Sequence, residues 1–206
     1  MFYMIPKDIY LNEELMKNEF TFPCVIFLEM YKSKSYKIYT TLSCMLEKFN
    51  ISSITKNTTK IKSLFHSLRS IGYINFNGDI SNLNTPLEIE VAKDEDGSFF
   101  TTIHDFELES IISIVSAHNV SYMIMNMFIA IKRRTGYIDI SINSYDKCVI
   151  GYRKLMDEIG IKSFNTMSKY VKLLENNGVL FVHRENTNDG DDGIKTINTY
   201  SFKRLE

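Results

Sequence analysis

Between Asn57 and Ile71 the apolar residues Ile61, Leu64, Phe65 and Leu68 recur at i, i+3, i+4 and i+7, and polar residues fill almost every other position. This spacing predicts a helix with one buried face, and Gly72 ends it. The same spacing returns as Met167, Tyr170, Val171 and Leu174, with Ser163 as a candidate N-cap and Gly178 as the stop. A shorter helix is expected before each, over Leu42–Phe49 and over Tyr152–Gly160. A run rich in β-branched and aromatic residues follows each, "YINF" and "VLFVHRE", and reads as a strand.

The remaining pattern is less regular. Met1–Tyr10 reads as extended, with Pro6 biasing Ile5 away from the helical region. A helix is expected over Asn12–Lys17. Another is expected through "FPCVIFLEMYKS", where Pro23 suits a first turn and Val25, Ile26, Leu28 and Met30 form an apolar stripe. Tyr36–Thr40 reads as a short strand and Asn77-Gly78 as a turn. "LEIEVA" and "SFFTTI" read as two strands joined through Asp94–Gly97. Then come a helix capped by Asp105, a longer helix ending at Gly136, and the strand "YIDISI". The strand "IKTINTYSF" follows the polar loop Asn186–Gly193.

The two halves of the chain repeat one plan. Leu46–Ile51 superposes on Met156–Ile161 at an offset of 110, and Ile61–Gly72 superposes on Met167–Gly178 at an offset of 106. The first copy therefore carries four extra residues, placed in its turn near Ser52–Thr55. The repeated unit is helix, strand, helix, turn, helix, strand, loop, strand. Helix, short turn, helix and β-hairpin is the order of a winged helix. The expected fold class is thus α+β: two winged helix-turn-helix domains in tandem, mostly helical with small β-hairpin wings, over residues 1–103 and 104–206.

In such a unit the second helix can enter the DNA major groove, and the loop between the strands reaches phosphates or a neighbouring groove. Removing the buried faces leaves the candidate DNA-binding residues. In the first copy they are Lys56, Asn57, Thr59, Lys60, Lys62 and Ser63, with His66 beside them. In the second they are Lys162, Ser163, Asn165, Thr166, Lys169 and Lys172, with Arg184 and Lys195 on the wing strands. Asn and Lys side chains hydrogen-bond base edges or phosphates, and a helix N-terminus suits phosphate. The competing reading of both faces is ordinary solvated helix surface.

Charge sharpens this picture. The net charge is only −1, but residues 31–77 carry +7 and residues 78–110 carry −8. A local excess of that size is a surface phosphate could read. Double-stranded DNA is the expected partner. Replication or other partner proteins and a homo-oligomer are left open.

Candidate catalytic and metal chemistry is sparse. There is no GxxxxGK[ST] motif for a P-loop nucleotide site, and no HxH pair of the kind that holds the metal of a rolling-circle nicking enzyme. His66, His104, His118 and His183 are scattered. Cys24, Cys44 and Cys148 are far apart and form no CxxC, so structural zinc is not expected. The acidic run Glu88–Gly97 lacks the EF-hand ligand order and reads as a hairpin turn. Met123, Met125 and Met127 read as core or interface. No enzyme activity and no cofactor is expected. The N-terminus does not have the form of a signal peptide, and "YMIMNMFIAI" is too short to span a bilayer. A soluble cytoplasmic protein without a membrane partner is expected.

"IGIKSFNTMSKYVKLLENNGVL" resembles the winged-helix core of replication proteins from Firmicutes plasmids, phages and conjugative elements, and "FYMIPKDIYLNEELMKNEF" resembles their opening segment. The chain is also similar to the N-terminal domain of DnaD-type primosome proteins and to initiators with two fused winged helices. The resemblance covers most of the chain through loose motifs that also fit many transcription regulators. It implies a DNA-binding protein of a mobile element, replication-initiator-like. A transcriptional or partition regulator, or a winged-helix interaction module, is the alternative. No segment resembles the helicase-loading domain of DnaD, so the resemblance does not extend to helicase loading.

Overall fold

A computed structural model describes residues 1–93, 100–135, 147–188 and 194–202, with the backbone alone at 186–188 and 194–196. The architecture is mixed α+β, with helices predominating and small antiparallel sheets. The chain divides into two compact units, Met1–His104 and Asp105–Glu206.

The first unit runs β1 (Phe2–Pro6), α1 (Lys7–Tyr10), α2 (Glu13–Lys17), α3 (Thr21–Tyr31), β2 (Lys37–Thr40), α4 (Leu42–Lys48), α5 (Thr55–Ser70), β3 (Ile74–Asn77), β4 (Leu87–Val91) and β5 (Phe100–His104). β2, β4 and β3 form one antiparallel sheet in that order, and β1 pairs with β5 in another. The second unit runs α6 (Asp105–His118), α7 (Met123–Thr135), β6 (Lys147–Val149), α8 (Tyr152–Ile159), α9 (Phe164–Asn176), β7 (Phe181–Asn188) and β8 (Ile194–Ser201), with a sheet in the order β6, β8, β7. Each unit thus places a three-stranded sheet, with its last strand central, beside a helix pair.

The internal repeat is present at the level of single hydrogen bonds. The turn after α4 is closed by the Ile51 N–H donating to the Leu46 carbonyl at 2.8 Å, and that after α8 by Ile161 donating to Met156 at 3.0 Å. Both turns need one left-handed residue: Asn50 at φ 50° and Gly160 at φ 72°. Asn reaches that region at modest cost and Gly at none. α5 and α9 both end in a Schellman turn. In α5, Gly72 donates to Arg69 and Tyr73 to Leu68, and in α9, Gly178 donates to Glu175 and Val179 to Leu174, all at 2.9–3.0 Å. The faces read from the sequence are buried as expected: Ile61, Leu64, Phe65 and Leu68 on α5, and Met167, Tyr170, Val171 and Leu174 on α9.

Several expectations are corrected. The extended lead-in stops at Pro6, and Lys7–Tyr10 coils into α1 with Ile9 and Tyr10 buried. α3 is not striped: Thr21 to Leu28 are all buried, so its first two turns are surrounded on every side, and only its last turn reaches the surface. β4 and β5 do not pair. β4 lies between β2 and β3, and β5 joins β1 with Phe2 opposite His104 and Pro6 opposite Phe100. Asp105 is the first residue of α6 rather than its cap, and His104 closes β5. The longer helix starts at Met123 and runs to Thr135, with Met125 and Met127 fully buried. The four extra residues of the first copy are mostly not in the turn. α5 has 16 residues against 13 in α9, so three of them lengthen the helix at its N-terminus. The expected turn at Asp94–Gly97, the strand "YIDISI" and the loop tip 189–193 lie outside the described residues. Among the described residues no helix is long and apolar enough to cross a membrane.

Candidate nucleic-acid interface

Burial of Met167, Tyr170, Val171 and Leu174 turns the opposite side of α9 outward. Asn165, Lys169, Lys172 and Asn176 lie there, all exposed. Lys162 and Ser163 precede them. The Ser163 hydroxyl accepts from the Thr166 N–H at 3.3 Å, so Ser163 is the N-cap the sequence called for. That bond uses one acceptor site of the hydroxyl and leaves its proton to donate, and Thr166 is half-buried on the flank. No described carboxylate lies within ion-pair range of Lys162, Lys169 or Lys172. An exposed ammonium without a partner retains its full attraction for phosphate.

Arg184 is placed differently. From β7 it makes a two-pronged bond to Glu175 on α9, at 2.9 and 2.7 Å, which ties the strand to the helix and spends its charge internally. Glu175 and Arg184 also adjoin Tyr152 at the start of α8. Burial, followed by the neighbouring Glu175, pushes the Tyr152 hydroxyl above its ordinary range, so it stays neutral. Phe164, the first residue of α9, rests against the Tyr152 ring at 5.0 Å and remains 57% exposed. By spacing Phe164, three before Met167 and seven before Val171, continues the buried stripe, and only its place at the first residue of α9 leaves it exposed. The Lys195 backbone lies in β8 opposite Thr187, and its side chain is outside the described residues.

The corresponding side of α5 has another chemistry. Its outward groove is lined by Thr59, Lys62, Ser63, His66, Ser67 and Ser70, mostly small and neutral. Asn57 turns back into the preceding loop, donating to the Ser52 carbonyl at 3.0 Å and to its hydroxyl at 3.1 Å. Lys62 leans to one flank and donates to the Ser81 carbonyl in the loop between β3 and β4. Lys60 leans to the other flank and pairs with Glu19. Lys56 stays exposed at the first turn of α5.

These contacts alter the charge argument. Of the eight basic residues within 31–77, Lys32 pairs with Glu29, Lys37 with Glu88 and Lys60 with Glu19, and all three carboxylates come from outside that segment. Arg69 lies over the Phe76 ring at 5.0 Å. The +7 segment is therefore not a +7 surface. In the second unit Glu158 engages Arg133 and Arg134, and Glu107 engages Lys132. Among the described residues the α9 lysines keep no carboxylate partner, as is also true of Lys34, Lys48 and Lys56 in the first unit and of Arg153 and Lys154 on α8.

Among the described residues no group of three His, Cys, Asp or Glu side chains is arranged to hold a metal ion. Cys24 and Cys148 are buried and Cys44 is exposed. No family model matches the chain, and no curated protein matches it significantly.

Proposed function

We propose that the chain binds double-stranded DNA, that each unit is a winged helix, and that α9 is the principal recognition helix. The carrying observation is the outward face of α9, where Lys169 and Lys172 stand exposed without carboxylate partners between Asn165 and Asn176. Lysine supplies phosphate attraction, and asparagine carries both donor and acceptor for a base edge. The strand order β6, β8, β7 and the helix pair α8–α9 fit the winged-helix plan, with the β7–β8 hairpin as wing. The β2, β4, β3 sheet and the α4–α5 pair fit it in the first unit.

The test is duplex binding across a salt series. Phosphate-driven association predicts a linear fall of log K with log salt, with a slope of about −0.9 for each phosphate neutralised. Affinity that stays flat from low to physiological salt would refute the reading.

The first unit favours a second role. With Lys60 paired to Glu19 and a groove of hydroxyls facing outward, α5 suits a partner protein or weak auxiliary DNA contact better than phosphate clamping. The proposed biological role, resting on the resemblance, is that of a replication initiator of a mobile element, with a transcriptional or partition regulator as the alternative. Supplying the protein to a plasmid that has only the gene's flanking DNA in place of an origin separates them. Replication requiring Lys169 supports the initiator, and reporter repression without replication supports the regulator.

A further inference from the structure

We infer that Phe164 is a specificity-determining residue that reads a thymine C5-methyl group in the major groove. This deepens the proposal for α9 and rests on it.

Phe164 is the leading residue of α9, immediately before Asn165 and four before Ser168. N-terminal residues of a recognition helix are the ones that meet base edges. Its ring is 57% exposed, while the hydrophobic residues of α9 on the buried side are at 5% or less. An apolar ring left in water at the leading end of α9, next to the exposed Asn165, is poorly placed for solvent and well placed for an apolar group on a base edge. In the major groove the thymine methyl is that group, and Phe is one of the side chains that meets it.

Within the chain the contrast is in the ring: α5 is preceded by Ile54, also 57% exposed, but carries no aromatic residue at its start. At the offset of 106, the position equivalent to Phe164 is Thr58. Thr58 is only 8% exposed, and its hydroxyl donates to the Thr55 carbonyl at 3.0 Å. The extra turn at the start of α5 covers that position, whereas α9 begins at it. Nor is Phe164 a loose side chain. The Tyr152 ring packs against it at 5.0 Å, and Arg184, beside Tyr152, is locked on Glu175. A ring resting on a fixed platform loses little freedom on binding, which favours discrimination.

The experiment uses the full chain and a duplex recovered by selection from a random-sequence pool. That duplex is resynthesised with deoxyuridine replacing thymine, first throughout and then one position at a time. Uracil keeps every hydrogen-bonding group and lacks only the methyl. Wild-type protein is expected to bind about fourfold more weakly when one particular thymine is replaced, the worth of one buried methyl group. Phe164→Ala is expected to bind thymine and uracil duplexes equally, and Phe164→Leu to retain part of the preference. Wild-type protein that binds both duplexes equally overturns the inference while leaving DNA binding by α9 intact. Discrimination that persists in Phe164→Ala overturns the assignment to this residue. If Phe164→Ala does not fold, the wild-type and Phe164→Leu measurements still decide. Absence of any salt-dependent duplex binding removes both the inference and the reading beneath it.

Discussion

Lys60 on α5 and Glu19, 41 residues earlier in the chain, form an ion pair at 2.5 Å. Lys60 also lies 6.0 Å from the centre of the Phe20 ring, and its carbonyl oxygen is approached by the Asn18 side chain at 3.5 Å. The segment Asn18–Phe20 is thus clipped to the flank of the helix that sequence reasoning assigned to DNA. Glu19 neutralises a lysine that would otherwise add to the positive surface of the first unit.

Glu19→Gln is expected to release Lys60. In a chain also carrying Lys169→Ala and Lys172→Ala, it should strengthen duplex binding at low salt and steepen the salt slope by up to about 0.9. The pair is partly exposed, at 41% for Lys60 and 18% for Glu19, so the change in folding stability should stay within about 1 kcal/mol. Titration of fluorescent duplex at several salt concentrations, with a denaturant melt, checks both halves. An unchanged slope would show that Lys60 does not reach phosphate even when freed.

Lys169→Ala and Lys172→Ala should each reduce the magnitude of the salt slope by about 0.9 and weaken binding similarly on all sequences. Asn165→Ala should instead lose roughly 1–3 kcal/mol on the selected duplex and less on random duplex. Equal loss on both would reassign Asn165 to phosphate positioning.

Met167 is fully buried on the inward face of α9. Met167→Ala should destabilise the second unit by ~2–5 kcal/mol, because the cavity left behind adds to the lost transfer free energy. Denaturant unfolding monitored by circular dichroism measures it. A loss below about 1 kcal/mol would show that the face collapses around the gap or is less tightly packed than its burial indicates.

The three thiols should separate by reactivity. The Thr41 hydroxyl, 3.2 Å from the Cys44 sulfur, holds that exposed thiol below its ordinary pKa, whereas burial pushes Cys24 and Cys148 up. The thiolate is the reactive form, so native protein should be alkylated first at Cys44, with a rate midpoint at lower pH than free cysteine. Thr41→Val should move that midpoint upward. Mass spectrometry of the labelled peptides is the readout, and labelling of Cys24 at the same rate would contradict its burial.

Both repeated units were legible in the sequence, because their determinants are local. The i, i+3, i+4, i+7 faces of α5 and α9, the Ser163 cap and the turns at Gly72, Gly160 and Gly178 depend on residues within a turn or two of one another. The left-handed residue after α4 is Asn50, which the offset of 110 aligns with Gly160. Periodicity and backbone sterics suffice for such features. The candidate residues on α9 were legible for the same reason, since assigning the buried face leaves the outward one.

Tertiary structure alone decided what each candidate side chain meets. That Glu19 meets Lys60, Glu88 meets Lys37 and Glu175 meets Arg184 depends on elements brought together by packing, and no window of sequence contains the first two pairs. It decided that β5 leaves β4 and pairs with β1, because strand partners are chosen by which edge and face the whole unit can bury. It also decided that α3 is enclosed on every side from Thr21 to Leu28, which an apolar stripe did not reveal. Charge counted along the chain is a sum over neighbours in sequence, whereas the field a phosphate meets is a sum over neighbours in space. In this protein the two sums part on α5, where Glu19 offsets Lys60, and on α7, where Glu107 and Glu158 offset Lys132, Arg133 and Arg134.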